Sequence, residues 1–577
     1  MNVLRIGFTM MSLVCLWPLS AQSVDFGTLK KDIKDKLKAK PFEINGGAAL
    51  NAIYTEGSQK NPQPFTYVAS ANVVCKIYGY ELPFSFTYSN KQFSTTNPNF
   101  RFNRTSFNPK YKVWTGHFGD IATSFSPYTL SGIPFQGAGI EYAPEKWKVE
   151  VVAGRIYKPV AEVVEQATKP TFYRFGMGIK TGYENKGKRL GLAVFYAKDD
   201  PNSIPLPRKS DNAEVRPMEN IAFATTLALP VGKKITWQSE VSTSVLTRDL
   251  MQTQGIFQSS RLTEQVTGRL LPQRNGSTKV YYAMKTSVNY TIEKTGQIGL
   301  SYERVDPRYQ TLGGLFFTND FENLTLNAQH KGLMNISFST GLQRDDIADR
   351  KRNSTGRMVV SANMGGKIGE KVDMSLNYSN FQSYAFIQTG FERINRLSPL
   401  DNLDTLHFTQ LAQNAAFNLN YALQQSEKTN QTVAFNVNFM ESATERNQTT
   451  QQDKTTQVTS GGLSYNLNLV EKNITLAVAM NYAVNVSGTK KIVTSGPTIS
   501  AAKPLFDKLI TANANLSYNQ SRSPDGQAQV ITAGIGANTV LKKKHNLTLN
   551  WVVQQSKTPN APQNFNTTIN AGYNYTF

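Results

Sequence analysis

With 577 residues, 40% hydrophobic content and a mean hydropathy of −0.38, the chain is too polar for a bundle of membrane helices, while 25 Tyr and 32 Phe are too many for a disordered one. Past the first segment no run approaches the roughly 18 apolar residues a spanning helix needs, so a membrane crossing would have to be made by strands. The formal charge of +21 is spread over short turns rather than gathered in one patch, which points away from nucleic acid and toward phosphorylated lipid headgroups, anionic solutes or a merely solvated rim.

Residues 1–22 read as a secretory signal peptide: Arg5 starts it, an apolar run extends from Ile6 to Leu19, and Ser20, Ala21 and Gln22 follow, with cleavage expected near Ala21. Val14 is not the small residue that usually precedes a lipidated cysteine, so Cys15 is expected to leave with the signal. Cys75 then remains as a lone thiol, and no intramolecular disulfide forms. Residues 23–41 form a short periplasmic leader. Leu29, Ile33 and Leu37 share a helical stripe ringed by lysines, which fits either a short amphipathic helix or an unstructured tether.

From residue 42 to 577 the dominant signal is a period of two. Phe175, Met177 and Ile179 alternate with Arg174, Gly176, Gly178 and Lys180; Ile474, Leu476, Val478, Met480, Tyr482 and Val484 form another set, and Leu547, Leu549, Trp551 and Val553 a third. Each segment runs for about ten to fifteen residues, longer than strands of soluble sheets and suited to a tilted membrane crossing. Short turns bearing charge, such as Lys186–Lys188, Lys233-Lys234, Glu471-Lys472 and Lys542–Lys544, alternate with longer loops, such as Lys198–Pro217, Arg248–Gly276, Ile387–Asp404 and Gln520–Gln527. From Lys146 onward this gives about twenty strands, and residues 42–145 supply four to six more. The register around Phe118–Pro144 stays open: Ser126-Pro127 and Gly132-Ile133-Pro134 fit a turn or an interrupted strand.

The polar face consists of Asn, Thr, Ser and Gln rather than the Lys and Glu of a water-facing soluble surface. In lipid every backbone polar group must be paired, and only closure removes a sheet's open edges. The expected fold is therefore all-β: a single closed antiparallel transmembrane β-barrel of 22–26 strands, apolar face to lipid and amide face to a wet lumen, with short periplasmic turns and long extracellular loops.

Catalytic signatures are missing. No nucleophile elbow, no H-E-x-x-H and no Walker loop occurs, and His117, His330, His407 and His545 lack metal-ligand spacing. Neither enzyme activity, nor a cofactor, nor a metal is expected. Sequons such as Asn473-Ile474-Thr475 follow automatically from an Asn- and Thr-rich face. More telling are Lys148, Glu150, Arg174, Lys180, Glu240 and Lys285, which stand out of phase with the apolar sets and are expected to line the pore. They would either bias it toward anions or pair with one another and stiffen the wall.

The last thirteen residues show the period most clearly, with Phe565, Thr567, Ile569, Ala571, Tyr573, Tyr575 and Phe577 on one face. This stretch resembles the closing strand of bacterial outer-membrane β-barrels. The resemblance implies location in the cell outer membrane of a Gram-negative cell, contact with lipid including lipopolysaccharide, and reading of Ile569, Tyr573, Tyr575 and Phe577 by the outer-membrane assembly machinery. The stretches Phe118–Gly132 and Pro307–Asp320 resemble segments of large barrels of the Bacteroidota group. About twenty residues before the first strand are too few for the plug of a TonB-dependent receptor. A wide bore would then be filled by in-folded loops, for which Arg248–Gly276 is the candidate, by the leader, or by a protein partner. Two functions fit: a porin-like channel for polar or anionic solutes, or a non-enzymatic barrel scaffold of an outer-membrane secretion, assembly or surface-protein complex.

Overall fold

The computed structural model describes residues 42–57, 63–77, 80–90, 104–162, 170–207, 215–252, 255, 274–292, 295–314, 320–345, 356–380, 411–442, 445–446, 449–450, 456–559 and 562–577. The signal peptide, the leader and loop positions Ile256–Leu271 and Ile387–Asp404 lie outside them.

Each strand pairs antiparallel with the next, and the last, Asn564–Thr576, closes on the first, Phe42–Gly57, with Tyr573 opposite Leu50 and Ile569 opposite Tyr54. The result is a closed antiparallel barrel of 26 strands. One wall position is shared by two short pieces, Arg104–Phe107 and Lys110–Tyr111, because Pro109 cannot donate to the ladder. Both pieces pair with Tyr80–Ser89 on one side and Trp114–Ile121 on the other.

The alternation read from the sequence sorts side chains into two faces. Val151, Leu190, Leu300, Leu463, Leu516 and Leu549 point outward and are exposed; in a transmembrane barrel this is the surface that lipid covers. The other face carries rows such as Asn418, Asn436, Gly462, Asn481 and Gly496, in register across five strands. Glycine in these rows makes room for the amides: a Cβ at Gly536 would lie 2.3 Å from Oδ1 of Asn550 and 2.6 Å from Oδ1 of Asn513.

Tight turns, including 186–187, 232–234, 369–371, 470–473, 506–509 and 542–544, gather at one end, together with the first and last strand ends, where the Phe577 N–H donates to Gly46 O. The charged turns expected at Lys186–Lys188, Lys233-Lys234, Glu471-Lys472 and Lys542–Lys544 are among them. At the opposite end, Gln520–Gln527 is not a loop. Strands Ile510–Ser523 and Gly526–Leu541 run through it and leave only Pro524-Asp525 as the turn.

At the loop end, where neighbouring strands stagger, exposed backbone donors are capped by short side chains. The N–H groups of Tyr67, Thr105, Met218, Tyr282 and Val360 donate to Asn90, Asp120, Asp199, Asp306 and Asn380. Each cap sits at or beside the end of its own strand, so it seals a ladder edge that water would otherwise have to satisfy. Next to one of these caps, Glu219 shares the outward parity yet is fully buried, accepting from the Tyr196 hydroxyl at 2.6 Å and pairing with Lys198 at 3.4 Å. A buried carboxylate with such partners does not belong against hydrocarbon and marks the upper limit of the apolar belt.

Candidate functional site

The open register around Phe118–Pro144 has a simple answer. Trp114–Ile121 and Phe135–Tyr142 are wall strands, and residues 122–134 between them leave the wall and fold onto the lumenal face. A second segment, Asp306–Gly314, does the same between Gly296–Val305 and Phe321–His330. The two meet as a parallel pair, Leu130 beside Gly313 and Ser131 beside Gly314. They overlap Phe118–Gly132 and Pro307–Asp320, the two stretches that resemble segments of large barrels, and they build one insert.

The insert has its own core. Phe125, Tyr128, Leu130, Ile133, Tyr309 and Leu312 are buried against Val152, Ile156, Phe195, Leu246 and Val305 from the lumenal face of the wall. Close approach requires a wall without side chains beneath it: a Cβ at Gly178 would lie 2.6 Å from the Phe125 ring. Leu130 is 0% exposed, Tyr309 0% and Phe195 1%, so on this side of the lumen the insert shuts these side chains away from solvent.

Polar contacts fix its position. The Tyr309 hydroxyl donates to Tyr128 O at 2.7 Å and shares a hydrogen bond with Ser242 at 2.9 Å. Thr311 donates to Thr129 O at 2.8 Å, Asn220 accepts from Leu312 N–H at 3.1 Å, and Ser244 donates to Gln310 O at 2.6 Å. The Arg248 guanidinium donates to Arg308 O at 2.8 Å and to Gln310 Oε1 at 3.1 Å. Burial first, then the neighbouring Glu303 carboxylate, push the Tyr128 phenol far above its ordinary value, and burial does the same to Tyr309. Both phenols therefore stay hydrogen-bond donors across the physiological range.

All six residues singled out by charge share the lumenal face, and the structure gives each a partner. Thr123 of the insert donates to Glu150 at 2.5 Å, the Lys180 ammonium donates to Ser124 O at 3.0 Å, and Ser126 hydrogen-bonds Glu240. Lys285 pairs with Glu303 at 3.0 Å, and Glu303 accepts from the Tyr128 hydroxyl at 2.6 Å. Lys148 pairs with Glu141 at 3.0 Å. Arg174 makes a two-pronged bond to Asp199, at 2.7 and 2.9 Å, and lies over the Tyr157 ring. Four of the six thus hold the insert or its immediate neighbours, and Glu150 and Arg174 are buried rather than open to the bore.

Asn220, Ser242, Ser244, Glu303 and Tyr309 were not singled out in the sequence. Their signal is present all the same: strands Lys188–Asp199 and Glu219–Val231 carry Ala193, Phe195, Ala197, Ala222 and Ala224 at lumenal positions, so they are apolar on both faces where other strands are apolar on one. Among the described residues no group of three or more His, Cys, Asp and Glu side chains could hold a metal ion. His117 is taken up by Asn108 at 2.9 Å, and His545 by Tyr573 at 2.8 Å. At the closing strand, the Tyr575 and Phe577 rings lie 5.5 Å apart, tilted by 42°, and Tyr575 lies beside His545.

No protein-family model matches this sequence, and no curated protein matches it either. Solved structures that resemble it include the translocation pore of the P pilus usher PapC, at 10% identity and a TM-score of 0.41, covering 93% of this chain and 100% of that one. The ferric citrate transporter FecA in its unliganded form is similar at 9% identity and TM-score 0.34, covering 92% and 79%. OccAB4 of Acinetobacter baumannii is similar at 10% identity and TM-score 0.29, covering 75% and 97%.

Proposed function

We propose that the protein is an outer-membrane channel, a water-filled passage for polar solutes that its insert narrows from one side. The observation that carries this reading is the pairing of an apolar outer face with an uncharged amide and hydroxyl lumen around most of the wall. The resemblance of the closing strand supports the outer membrane as its location and Ile569, Tyr573, Tyr575 and Phe577 as its assembly signal. An anion bias finds little support, because Lys148, Arg174, Lys180 and Lys285 face Glu141, Glu150, Asp199, Glu240 and Glu303 and their charges offset one another. Conductance of the purified barrel in planar bilayers tests the proposal: steady current with weak ion preference is expected, and a silent bilayer containing folded protein overturns it.

The width of the barrel favours a second reading. Twenty-six strands spaced about 4.8 Å apart and tilted by about 40° close at a diameter of roughly 50 Å. A folded domain of about 100 residues has a radius of gyration of about 13 Å and fits inside. In this reading the barrel is a scaffold around a protein partner in a secretion or assembly complex. Purification from native membranes separates the two, since a stoichiometric partner and no conductance would mark the scaffold.

A further inference from the structure

Close to the tight-turn end, the outer face of the wall contains a cavity of about 620 Å³ lined by Ile77, Leu82, Pro109, Tyr111, Trp114 and Ile140. Its outward aspect follows from register. Ile140 pairs with Val151, an exposed residue on the face opposite to Glu150 and Val152, both of which meet the insert. Gly116, opposite Ile140 and hydrogen-bonded to Pro109 through the backbone, leaves the floor of the cavity without a side chain. Trp114 packs on Tyr142 at 4.4 Å, and the Lys112 ammonium sits 5.7 Å from the centre of the Tyr111 ring, at the rim.

The same sector has two of the three shortest full wall strands among the described residues, the third being Val372–Ser379 with 8 residues. Trp114–Ile121 and Phe135–Tyr142 have 8 residues each, against 16 in Gly526–Leu541. At about 3.4 Å per residue and a tilt of about 40°, the short strands rise only about 21 Å, less than the apolar band of about 25 Å usual for such barrels. A bilayer meeting this sector must thin or tilt its lipids, and a concave apolar surface at that point relieves the mismatch by accepting a chain.

We infer that this cavity is a binding site for a phospholipid of the periplasmic leaflet, with one acyl chain in the apolar hollow and the phosphate at Lys112. The inference goes beyond solute passage and rests only on the barrel's standing in the outer membrane with its tight turns on the periplasmic side. Chemistry selects the occupant. Apart from Lys110 the lining is hydrocarbon and aromatic, the mouth carries a cation beside the Tyr111 ring, and Trp and Tyr at this depth are the side chains that seat lipid headgroups.

The test is native mass spectrometry of the full barrel purified in mild detergent, with phospholipid and lipopolysaccharide distinguished by mass. Wild type is expected to retain about one phospholipid. Ile140→Trp, which fills the hollow, and Lys112→Glu, which reverses the rim charge, should each lower retention at least fivefold. Leu516→Trp, a change on the lipid-facing wall far from the cavity, should leave it unchanged. Folding of every variant is checked by its resistance to unfolding in cold detergent. Lipid-free wild type, equal retention in all variants, or lipopolysaccharide in place of phospholipid would each overturn the proposal. Absence of the protein from the outer-membrane fraction would instead defeat the membrane placement on which it rests.

Discussion

The lumenal wall is two different surfaces in one sheet. From Trp114 to Val305 it is studded with charge, small residues and buried apolar groups, and it is bolted to an insert; from Leu411 to Thr576 its middle is mostly Asn, Ser, Thr, Gly and Ala, and among the described residues the insert's buried core does not pack on it. Both halves keep the same outward alternation, because lipid makes the same demand everywhere. The lesson is that charge on the inner face of this barrel follows the insert rather than the passage. Glu150, Lys180, Glu240 and Lys285 stand where a loop segment is held in place, and in the Asn-rich half neutral amides suffice.

Breaking the insert should have the largest effect. Tyr309→Ala removes a fully buried ring set edge-on to Tyr128 at 6.3 Å and the donor to Tyr128 O. Truncating a buried aromatic costs about 3–5 kcal/mol. The insert should therefore detach while the barrel, whose ladder is untouched, stays closed. New protease cleavage within residues 122–134 together with higher conductance would show this; unchanged cleavage and conductance would mean that the segments are held independently.

The next effect tests the faces themselves in the half that lacks an insert. Leu516→Arg puts a cation on the outer belt and should cost about 2–4 kcal/mol. Asn515→Arg, one residue away on the lumenal face, should change stability by no more than about 0.5 kcal/mol. Denaturant unfolding in lipid vesicles compares the two, and equal costs would contradict the assignment of inside and outside.

A smaller effect is expected at the insert's partly exposed ion pair. Lys285→Met leaves Glu303 and Glu240 without their shared cation, but the lysine side chain is 52% exposed, so screening by water limits the loss to about 1 kcal/mol. Proteolysis of the insert should quicken several-fold and its final pattern should stay the same. A loss as large as that of Tyr309→Ala would mean that the pair is functionally buried.

Legibility differed between the halves for a physical reason. A strand with one wet and one greasy face writes its orientation into a period of two, so a closed barrel of 22–26 strands and the positions of its short charged turns could be read. The insert is built by residues 128–131 and 309–314, nearly two hundred positions apart, and each alone looks like turn chemistry. Only the double-sided apolar strands, with Ala193 and Phe195 inside as Leu192 and Val194 lie outside, betrayed that something covers the wall there. Pro524-Asp525 misled in the other direction, because Pro and Asp mark a loop and a two-residue hairpin turn alike.

The smallest effect is the most informative about the bore. Asn436 lies at mid-wall on the lumenal face, opposite Asn418 and Gly462. Asn436→Asp places a single charge on the lumenal face of a barrel roughly 50 Å across, while the screening length is about 10 Å at 0.1 M salt and about 30 Å at 0.01 M. At the higher salt most of the bore lies outside the reach of that charge, so the reversal potential should stay as in wild type. At the lower salt the field extends past the middle, and a shift toward cations should appear. A clear shift already at 0.1 M would mean that ions are confined close to Asn436, and that the amide half lines a narrow path rather than the side of a wide one.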